Sequence, residues 1–210
     1  MTQFIGVEDM RRLVRSTGTK AFLTQLAVYV RSDFSRWSAF EKSARVASHS
    51  RDGVIELMPT SDGQLYTFKY VNGHPSNPTT GKLTVTAFGV LADVATGYPL
   101  LISEMTLLTA LRTAATSAFA ASVLARPDSK IMALVGAGAQ SEFQALAFQA
   151  LLGIAEIRVY DPDMLAVDKF MANAKRFGMK LVRSASVEDA VKGADIVTVC
   201  TAVKGRVAVI

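Results

Sequence analysis

The second half of the chain is organised around the segment Ala133-Leu-Val-Gly136-Ala-Gly138-Ala-Gln140-Ser141. The apolar run Ile131–Val135 predicts a buried strand, and the residues after the segment have the periodicity of a helix. Gly136 permits a tight turn and Gly138 permits close approach of a phosphate, while the small Ser141 occupies the third glycine position. A strand, a glycine-rich turn and a helix in this order predict a dinucleotide-binding loop.

An acidic residue follows at the spacing that this kind of loop requires. Asp161 lies 25 residues after Gly136, at the end of the predicted strand Glu156–Tyr160. A carboxylate there accepts hydrogen bonds from both ribose hydroxyls of adenosine and repels a 2′-phosphate, so NAD is favoured over NADP. The alternative is that Asp161 only caps the helix that follows it.

Three more residues are candidates for the same dinucleotide site. The backbone amides near Ala139 and Gln140 begin the helix, where the amide dipoles favour a pyrophosphate. Thr201 follows the fourth predicted strand and would line the crevice at the carboxyl ends of the strands. Its alternative is an ordinary threonine at a strand end.

Strands and helices alternate after residue 129, which predicts a Rossmann-type α/β fold with a doubly wound parallel sheet. Before residue 128 the pattern differs: two helices are followed by strand-like segments at Val54–Pro59, Leu65–Val71 and Leu83–Leu91, separated by turn residues. This half is predicted to be an α+β domain with a meander sheet, and a long helix from about Met105 to Ala125 ends it. We therefore predict two domains, residues 1–128 and 129–210.

The composition narrows the class of protein. The chain has 210 residues, 50% apolar and 20% charged, which is enough to bury a core and excludes disorder. The single cysteine, Cys200, excludes a disulfide scaffold and a thiolate-rich metal site, so no metal is expected. The N-terminus is charged where a signal peptide needs an apolar core, and no uncharged apolar run approaches the roughly 18 residues that span a bilayer. We expect a cytoplasmic protein without a membrane partner.

The net charge and the end of the chain lead to two further expectations. The net charge is +5, but the basic residues are scattered, without a basic run or aromatic–basic alternation, so no nucleic-acid partner is expected. The chain stops on the apolar residues Arg206–Ile210 with no cap or tail after them. This predicts a parallel sheet truncated at residue 210.

Charged residues in apolar surroundings are the candidates in the first half. Lys69 alternates with Leu65 and Val71, so it either lies at a sheet edge or neutralises an anion. Arg112 is the only charge in its helix and is either a surface group or a carboxylate or phosphate anchor. Glu56 is either an edge residue or a site acid. His49 and His74 lie in turn-like surroundings and are expected to be surface residues without partners.

Five stretches carry a resemblance to a known family. They are Arg45, Glu56-Leu-Met-Pro59, Lys69-Tyr-Val-Asn-Gly-His-Pro-Ser-Asn-Pro78, Met105-Thr-Leu-Leu-Thr-Ala-Leu-Arg112-Thr-Ala-Ala and Gly136-Ala-Gly-Ala-Gln140. Together they resemble the ornithine cyclodeaminase/mu-crystallin family over essentially the whole chain, and the loop after Lys69 is most similar to that of its bacterial members.

The resemblance implies roles for individual residues. It implies a substrate carboxylate held by Arg45, Lys69 and Arg112, with Glu56 orienting an amine or a water. It also implies bound NAD, and the residues that would contact it are Thr84, Arg112, Ala139, Gln140, Asp161 and Thr201. A catalytic aspartate that serves the substrate amine would lie beyond residue 210, so residues 1–210 alone are expected to be inactive and poorly folded.

The chemistry that the resemblance implies is conversion of L-ornithine to L-proline and ammonia. The α-amine is oxidised to an imine, the δ-amine attacks that carbon, ammonia leaves, and the same hydride returns to the cyclic imine. The alternatives are an alanine- or opine-type dehydrogenase, a ketimine reductase, or a mu-crystallin-like protein that binds a dinucleotide without turnover. The resemblance further implies a homodimer formed by the meander sheets.

Overall fold

The computed structural model describes residues 1–201, and the predicted apolar end at Arg206–Ile210 lies outside the described residues. The chain divides into two compact units. Unit 1 comprises Met1–Gly18 and Ser32–Thr109, and unit 2 comprises Thr19–Arg31 and the residues from Ala110 onward. Parts of two helices before residue 128 therefore group with the second half of the chain, whereas the sequence predicted a single boundary.

Unit 1 contains a mixed seven-stranded sheet. Its strands are β1 (Gln3–Ile5), β2 (Glu41–Lys42), β3 (Val46–His49), β4 (Val54–Ser61), β5 (Leu65–Gly73), β6 (Ala87–Asp93) and β7 (Pro99–Glu104). They lie in the order β1-β7-β6-β5-β4-β2, and β3 also pairs with β4. All pairs are antiparallel except β1 with β7. The predicted meander is present as β4, β5 and β6.

The start of the third meander strand was predicted wrongly. The sequence placed it at Leu83, but β6 begins at Ala87. The reason is that the residues before Ala87 are hydrogen-bonded across a loop rather than along a ladder: the carbonyl of Thr84 accepts the N–H of His74, and the N–H of Thr86 is taken by the Asn72 side chain. Four other strands, β1, β2, β3 and β7, were not predicted.

Three helices occupy the first 124 residues. They are α1 (Val7–Thr17), α2 (Thr19–Ser35) and α3 (Thr106–Leu124). Gly18, whose φ of +81° suits glycine, separates α1 from α2 at the predicted break. By length and composition α3 is apolar enough to cross a membrane. It carries Arg112, and its residues Leu111, Ala114, Ala115 and Ala118 are fully buried within the chain.

Unit 2 contains a four-stranded parallel sheet. Its elements are β8 (Ile131–Val135), α4 (Ser141–Leu152), β9 (Glu156–Tyr160), α5 (Met164–Ala174), β10 (Lys180–Arg183), α6 (Val187–Val191) and β11 (Ile196–Val199). The strand order is β10-β9-β8-β11. Chain order therefore reverses direction at β8, which is the order of the first four strands of a Rossmann fold and confirms the predicted fold class. The crevice at the reversal lies between the carboxyl ends of β8 and β11.

Asp195 fixes the entry into β8, and this leads to a prediction about stability. One oxygen of its carboxylate accepts the N–H groups of Lys130 at 2.8 Å and Ile131 at 2.9 Å, and the other accepts from Arg126. The two backbone hydrogen bonds, together with the charge of Arg126, lower the pKa of Asp195. A lowered pKa contributes stability that is present above the unfolded pKa of about 3.9 and is lost as the pH falls through the folded pKa.

Asp195→Asn is therefore expected to lower the thermal midpoint at pH 7, and the difference from wild type should shrink as the pH falls below about 4. Thermal unfolding of the whole protein between pH 3 and pH 7 measures this. Asp128→Asn is a matched control, because Asp128 is exposed and lies 3.8 Å from the same Arg126. A midpoint difference that stays constant over the whole pH range would contradict the account.

Candidate functional site

The glycine-rich turn after β8 is tightly packed at its first glycine. Gly136 has φ +100°, and an added Cβ would lie 2.8 Å from the carbonyl carbon of Cys200 and 3.1 Å from the backbone nitrogen of Thr201. Its N–H donates to the carbonyl of Tyr160 at 2.8 Å. Only glycine fits this position, and the turn is thereby held against the ends of both β9 and β11.

Asp161 is tied directly to this turn. One carboxylate oxygen accepts the N–H of Ala137 at 2.8 Å and the other accepts the N–H of Asp163 at 2.9 Å. The N-cap of α5 is Asp163, whose side chain accepts from Leu165, so the interpretation of Asp161 as a mere helix cap is wrong. A carboxylate has about four lone-pair sites, so Asp161 keeps acceptor capacity for ligand hydroxyls.

The second glycine of the turn, Gly138, has free space beside it, whereas Gly136 is closely packed. Among the described residues, nothing lies within 4 Å of a Cβ added at Gly138, and Gly138 and Ala139 are exposed. The carbonyl of Gly138 is held by the hydroxyl of the fully buried Ser141 at 2.7 Å, which fixes the turn onto the start of α4. The helix begins at Ser141 with Gln140 as its N-cap, one residue later than predicted.

The surroundings of Gly138, Gln140 and the start of α4 suit the binding of a dinucleotide. The open face of Gly138 leaves room for a phosphate, and the N-terminus of the 12-residue α4 favours negative charge. Among the described residues, the buried side-chain oxygen Oε1 of Gln140 has no hydrogen-bond partner, so it is a candidate acceptor for a ligand. The role of each residue in binding remains a prediction.

Two residues after β11 complete this edge of the sheet. Thr201 follows β11 and is exposed, and its backbone nitrogen lies beside Gly136. Cys200 is bound through its N–H to the carbonyl of Val135 at 2.7 Å. Burial raises the pKa of its thiol to about 11, so the thiol stays protonated at neutral pH and is not a nucleophile.

In unit 1, Arg45 and Glu56 form an ion pair. Arg45 Nη1 lies 3.4 Å from Glu56 Oε1, and the two side chains are 63% and 22% exposed. Glu56 is opposite Ala47 in β3 and Val71 in β5, so it lies inside the sheet and not at an edge. The sequence named both residues but did not predict that they touch.

Lys69 lies on the same face of the sheet as Glu56. It is opposite Met58 in β4 and Gly89 in β6, and Glu56 and Met58 share a face because they are two residues apart in β4. Lys69 is half-buried and inside the sheet, so the interpretation as an edge lysine is wrong. Met105 fills the space above Gly89 on this face. Unit 1 thus presents two cations and a carboxylate beside apolar methionines.

The other predicted site residues lie in separate elements. Arg112 is an exposed residue of α3 in unit 2, and its carbonyl accepts the hydroxyl of Thr116. Thr84 is half-buried in the loop before β6 in unit 1. His49 is exposed in β3 as expected, but the expectation for His74 is wrong, because His74 is half-buried and its Nδ1 lies 3.2 Å from Asn72 Nδ2.

Sequence reasoning assigned no role to Asn72 or Met105. Asn72 lies inside strand β5, where asparagine is uncommon, and this was a signal that it has a specific partner. Met105 gave no comparable signal, because a methionine next to a helix start is ordinary.

Comparison with known proteins places the chain in a family. The model of the ornithine cyclodeaminase/mu-crystallin family matches residues 7–210. An ornithine cyclodeaminase from Agrobacterium fabrum is 64% identical over 201 residues, which are 96% of this chain and 57% of that protein. The chain thus spans somewhat more than half the length of this curated relative.

Solved structures agree with the fold. A lysine cyclodeaminase, studied for its recognition of L-lysine, L-ornithine and L-2,4-diaminobutyric acid, superposes with a TM-score of 0.91 at 28% identity, covering 99% of this chain and 63% of the other. An archaeal alanine dehydrogenase dimer with bound NAD gives a TM-score of 0.81 at 27% identity, covering 95% and 60%. With its family model matched from residue 7 to residue 210, the chain belongs to the ornithine cyclodeaminase/mu-crystallin family.

Proposed function

We propose that the whole protein to which this chain belongs converts L-ornithine to L-proline and ammonia and uses NAD as a bound cofactor. The observation that carries the proposal is the 64% identity to an ornithine cyclodeaminase over 96% of the chain. Two features support it. The face of the unit 1 sheet that carries Arg45 and Lys69, here called the cationic face, suits the anchoring of an amino acid. The glycine-rich turn of unit 2 suits the binding of a dinucleotide.

The residues proposed to hold NAD begin with the glycine-rich turn. The amides near Ala139 and Gln140 would face the pyrophosphate above the open side of Gly138, and Asp161 would accept the ribose hydroxyls. The carboxylate of Asp161 also disfavours a 2′-phosphate, which supports NAD over NADP. Thr84, Arg112 and Thr201 are further contacts in this proposal. NAD, when bound, supplies a two-electron acceptor for the substrate α-carbon.

The substrate carboxylate is proposed to bind Arg45, Lys69 and Arg112. Charge-assisted hydrogen bonds to a carboxylate fix its orientation as well as its position, which is what a reaction at the neighbouring α-carbon requires. Glu56, already 3.4 Å from Arg45, is proposed to exchange that cation for a substrate amine or a water when the carboxylate arrives. The aspartate that serves the substrate amine is proposed to lie beyond residue 210.

We also propose that the protein is a cytoplasmic homodimer. The face of the unit 1 sheet opposite Lys69 carries a row of paired apolar residues across four strands, namely Val46, Leu57, Tyr70 and Phe88. Val46 and Phe88 are 65% and 45% exposed, and an exposed apolar sheet face of this kind favours pairing with a second copy. The structurally similar alanine dehydrogenase is a dimer.

One assay of the whole protein tests the function. The protein is incubated with L-ornithine and NAD, and proline, ammonia and NADH absorbance are followed together. Proline and ammonia in equal amounts with no net NADH are expected. Accumulating NADH would instead identify an amino-acid dehydrogenase, and NAD binding without any product would identify a binding protein or a different substrate.

A further inference from the structure

The loop between β5 and β6, residues 74–86, is closed at its base by the side chain of Asn72. Oδ1 of Asn72 accepts two hydrogen bonds from Thr86, from the N–H and from the hydroxyl, each at 2.6 Å. The N–H of Asn72 donates to the carbonyl of Thr86 at 3.1 Å. The regular ladder ends at Val71 opposite Ala87, so this side chain takes the place of the next backbone acceptor.

The same amide also fixes His74. Because Oδ1 is turned to Thr86, the amide nitrogen faces Nδ1 of His74 at 3.2 Å. An amide NH₂ group only donates, so this contact requires the tautomer in which Nδ1 of His74 is the acceptor. Gly53 lies against the same ring, since a Cβ added there would lie 2.5 Å from the imidazole.

His74 in turn holds Thr84. The N–H of His74 donates to the carbonyl of Thr84 at 2.9 Å. Thr84 is therefore connected to the sheet by two routes, through His74 and, two residues later, through Thr86, and both routes meet at the one carboxamide of Asn72. Farther out, Asn77 Nδ2 donates to the carbonyl of Leu83 at 2.9 Å, which closes the tip of the loop.

We propose that Asn72 is a positioning residue that places Thr84 for cofactor binding. The inference rests on the proposed function, in which Thr84 contacts NAD. Asn72 does not itself touch the reacting groups; it sets the backbone on both sides of Thr84. Loss of its carboxamide frees the loop without removing a side chain from either the cationic face or the glycine-rich turn.

Four variants of the whole protein separate positioning from general stability. Asn72→Ala removes all the side-chain bonds, and Thr86→Val removes one of the two bonds to Oδ1. Asn72→Asp keeps an acceptor for both Thr86 bonds. Thr96→Val is the matched control: it removes a similar hydroxyl bond, from Thr96 to Asp93, in the β6–β7 turn of the same unit.

The measurements are the Kd for NAD, kcat and KM with ornithine, and the thermal midpoint. Asn72→Ala is expected to weaken NAD binding about tenfold and Thr86→Val about threefold. These factors follow from the net free energy of the hydrogen bonds that each variant loses, converted to a change in Kd. Asn72→Asp keeps the acceptor for Thr86 but loses the donor to His74, so its Kd for NAD should fall between those of wild type and Asn72→Ala, and kcat at saturating NAD should change less than Kd in every variant. Thr96→Val should lower only the thermal midpoint.

The outcomes distinguish this inference from the proposed function. If Asn72→Ala and Thr86→Val bind NAD as tightly as Thr96→Val does, Asn72 is purely structural and the inference is overturned while the function stands. If wild type binds NAD but makes no proline, the proposed function fails and the affinities still decide the inference. If wild type binds no NAD at all, both are overturned.

Discussion

Gly136→Ala is expected to lower the free energy of unfolding by about 2–4 kcal/mol and to abolish measurable NAD binding. Two independent costs add at this position. The backbone has φ +100°, which a residue with a Cβ rarely adopts, and the new methyl would lie 2.8 and 2.9 Å from the carbonyl carbon and oxygen of Cys200. Because these are backbone atoms of a neighbouring strand end, they cannot swing away as a flexible side chain would.

Gly138→Ala is the matched control, because the same methyl at Gly138 meets no atom within 4 Å in the part of the chain that the structure describes. It should leave the thermal midpoint unchanged while still weakening NAD binding, since the methyl stands where a phosphate would approach. Thermal unfolding and NAD titration of both variants in the whole protein test the pair. A Gly136→Ala protein as stable as wild type would show that β8 and β11 do not meet at this turn as described.

Lys69→Met is expected to reduce kcat/KM for ornithine by about 10- to 100-fold, which corresponds to loss of one hydrogen bond to a charged group. Methionine keeps most of the aliphatic stem of Lys69, so its packing between the β4 and β6 neighbours Met58 and Gly89 is preserved. The Kd for NAD should change little, because Lys69 belongs to the proposed amino-acid anchor and not to the proposed NAD contacts.

Lys42→Met provides the control for this change. Lys42 belongs to the same sheet, but its ammonium donates to the backbone carbonyls of Trp37 and Phe40. This variant should lose some stability and keep its kcat/KM. Steady-state kinetics of the two variants test the proposed role of Lys69. If Lys69→Met and Lys42→Met have equal kcat/KM values, Lys69 does not belong to the proposed carboxylate site.

The second half of the fold could be predicted closely because its signals are local. The strands Ile131–Val135 and Glu156–Tyr160 have the predicted bounds, and each is a short apolar or alternating run ended by turn residues. Gly136 and Gly138 were identified from spacing alone. What the spacing could not show is that Asp161 binds the N–H of Ala137, because that contact depends on how β8 and β9 are paired.

The first half was less predictable because its contacts are set by strand register. All four residues of β3 are exposed, so no alternation marked Val46–His49 as a strand. Without β3 there was no reason to expect the Arg45–Glu56 ion pair, which requires Val46 to lie opposite Leu57. The late start of β6 has the same origin, since the Asn72 side chain replaces a backbone acceptor.

The positions of Arg45 and Lys69 show what part of the net charge of +5 can be used for. Arg45 is paired with a carboxylate on one face of the unit 1 sheet, and Lys69 shares that face. Cations of this kind, placed beside apolar side chains, suit a small carboxylate rather than a polyanion.

The central claim is that the protein removes and returns hydrogen at one carbon of ornithine. The most direct test uses ornithine carrying deuterium at Cα, with the whole protein and NAD at far less than one equivalent of substrate. The account predicts many turnovers to proline that retains deuterium at Cα, with ammonia released and no NADH accumulating. Proline that has lost its deuterium, or turnover that stops when NAD is exhausted, would contradict it.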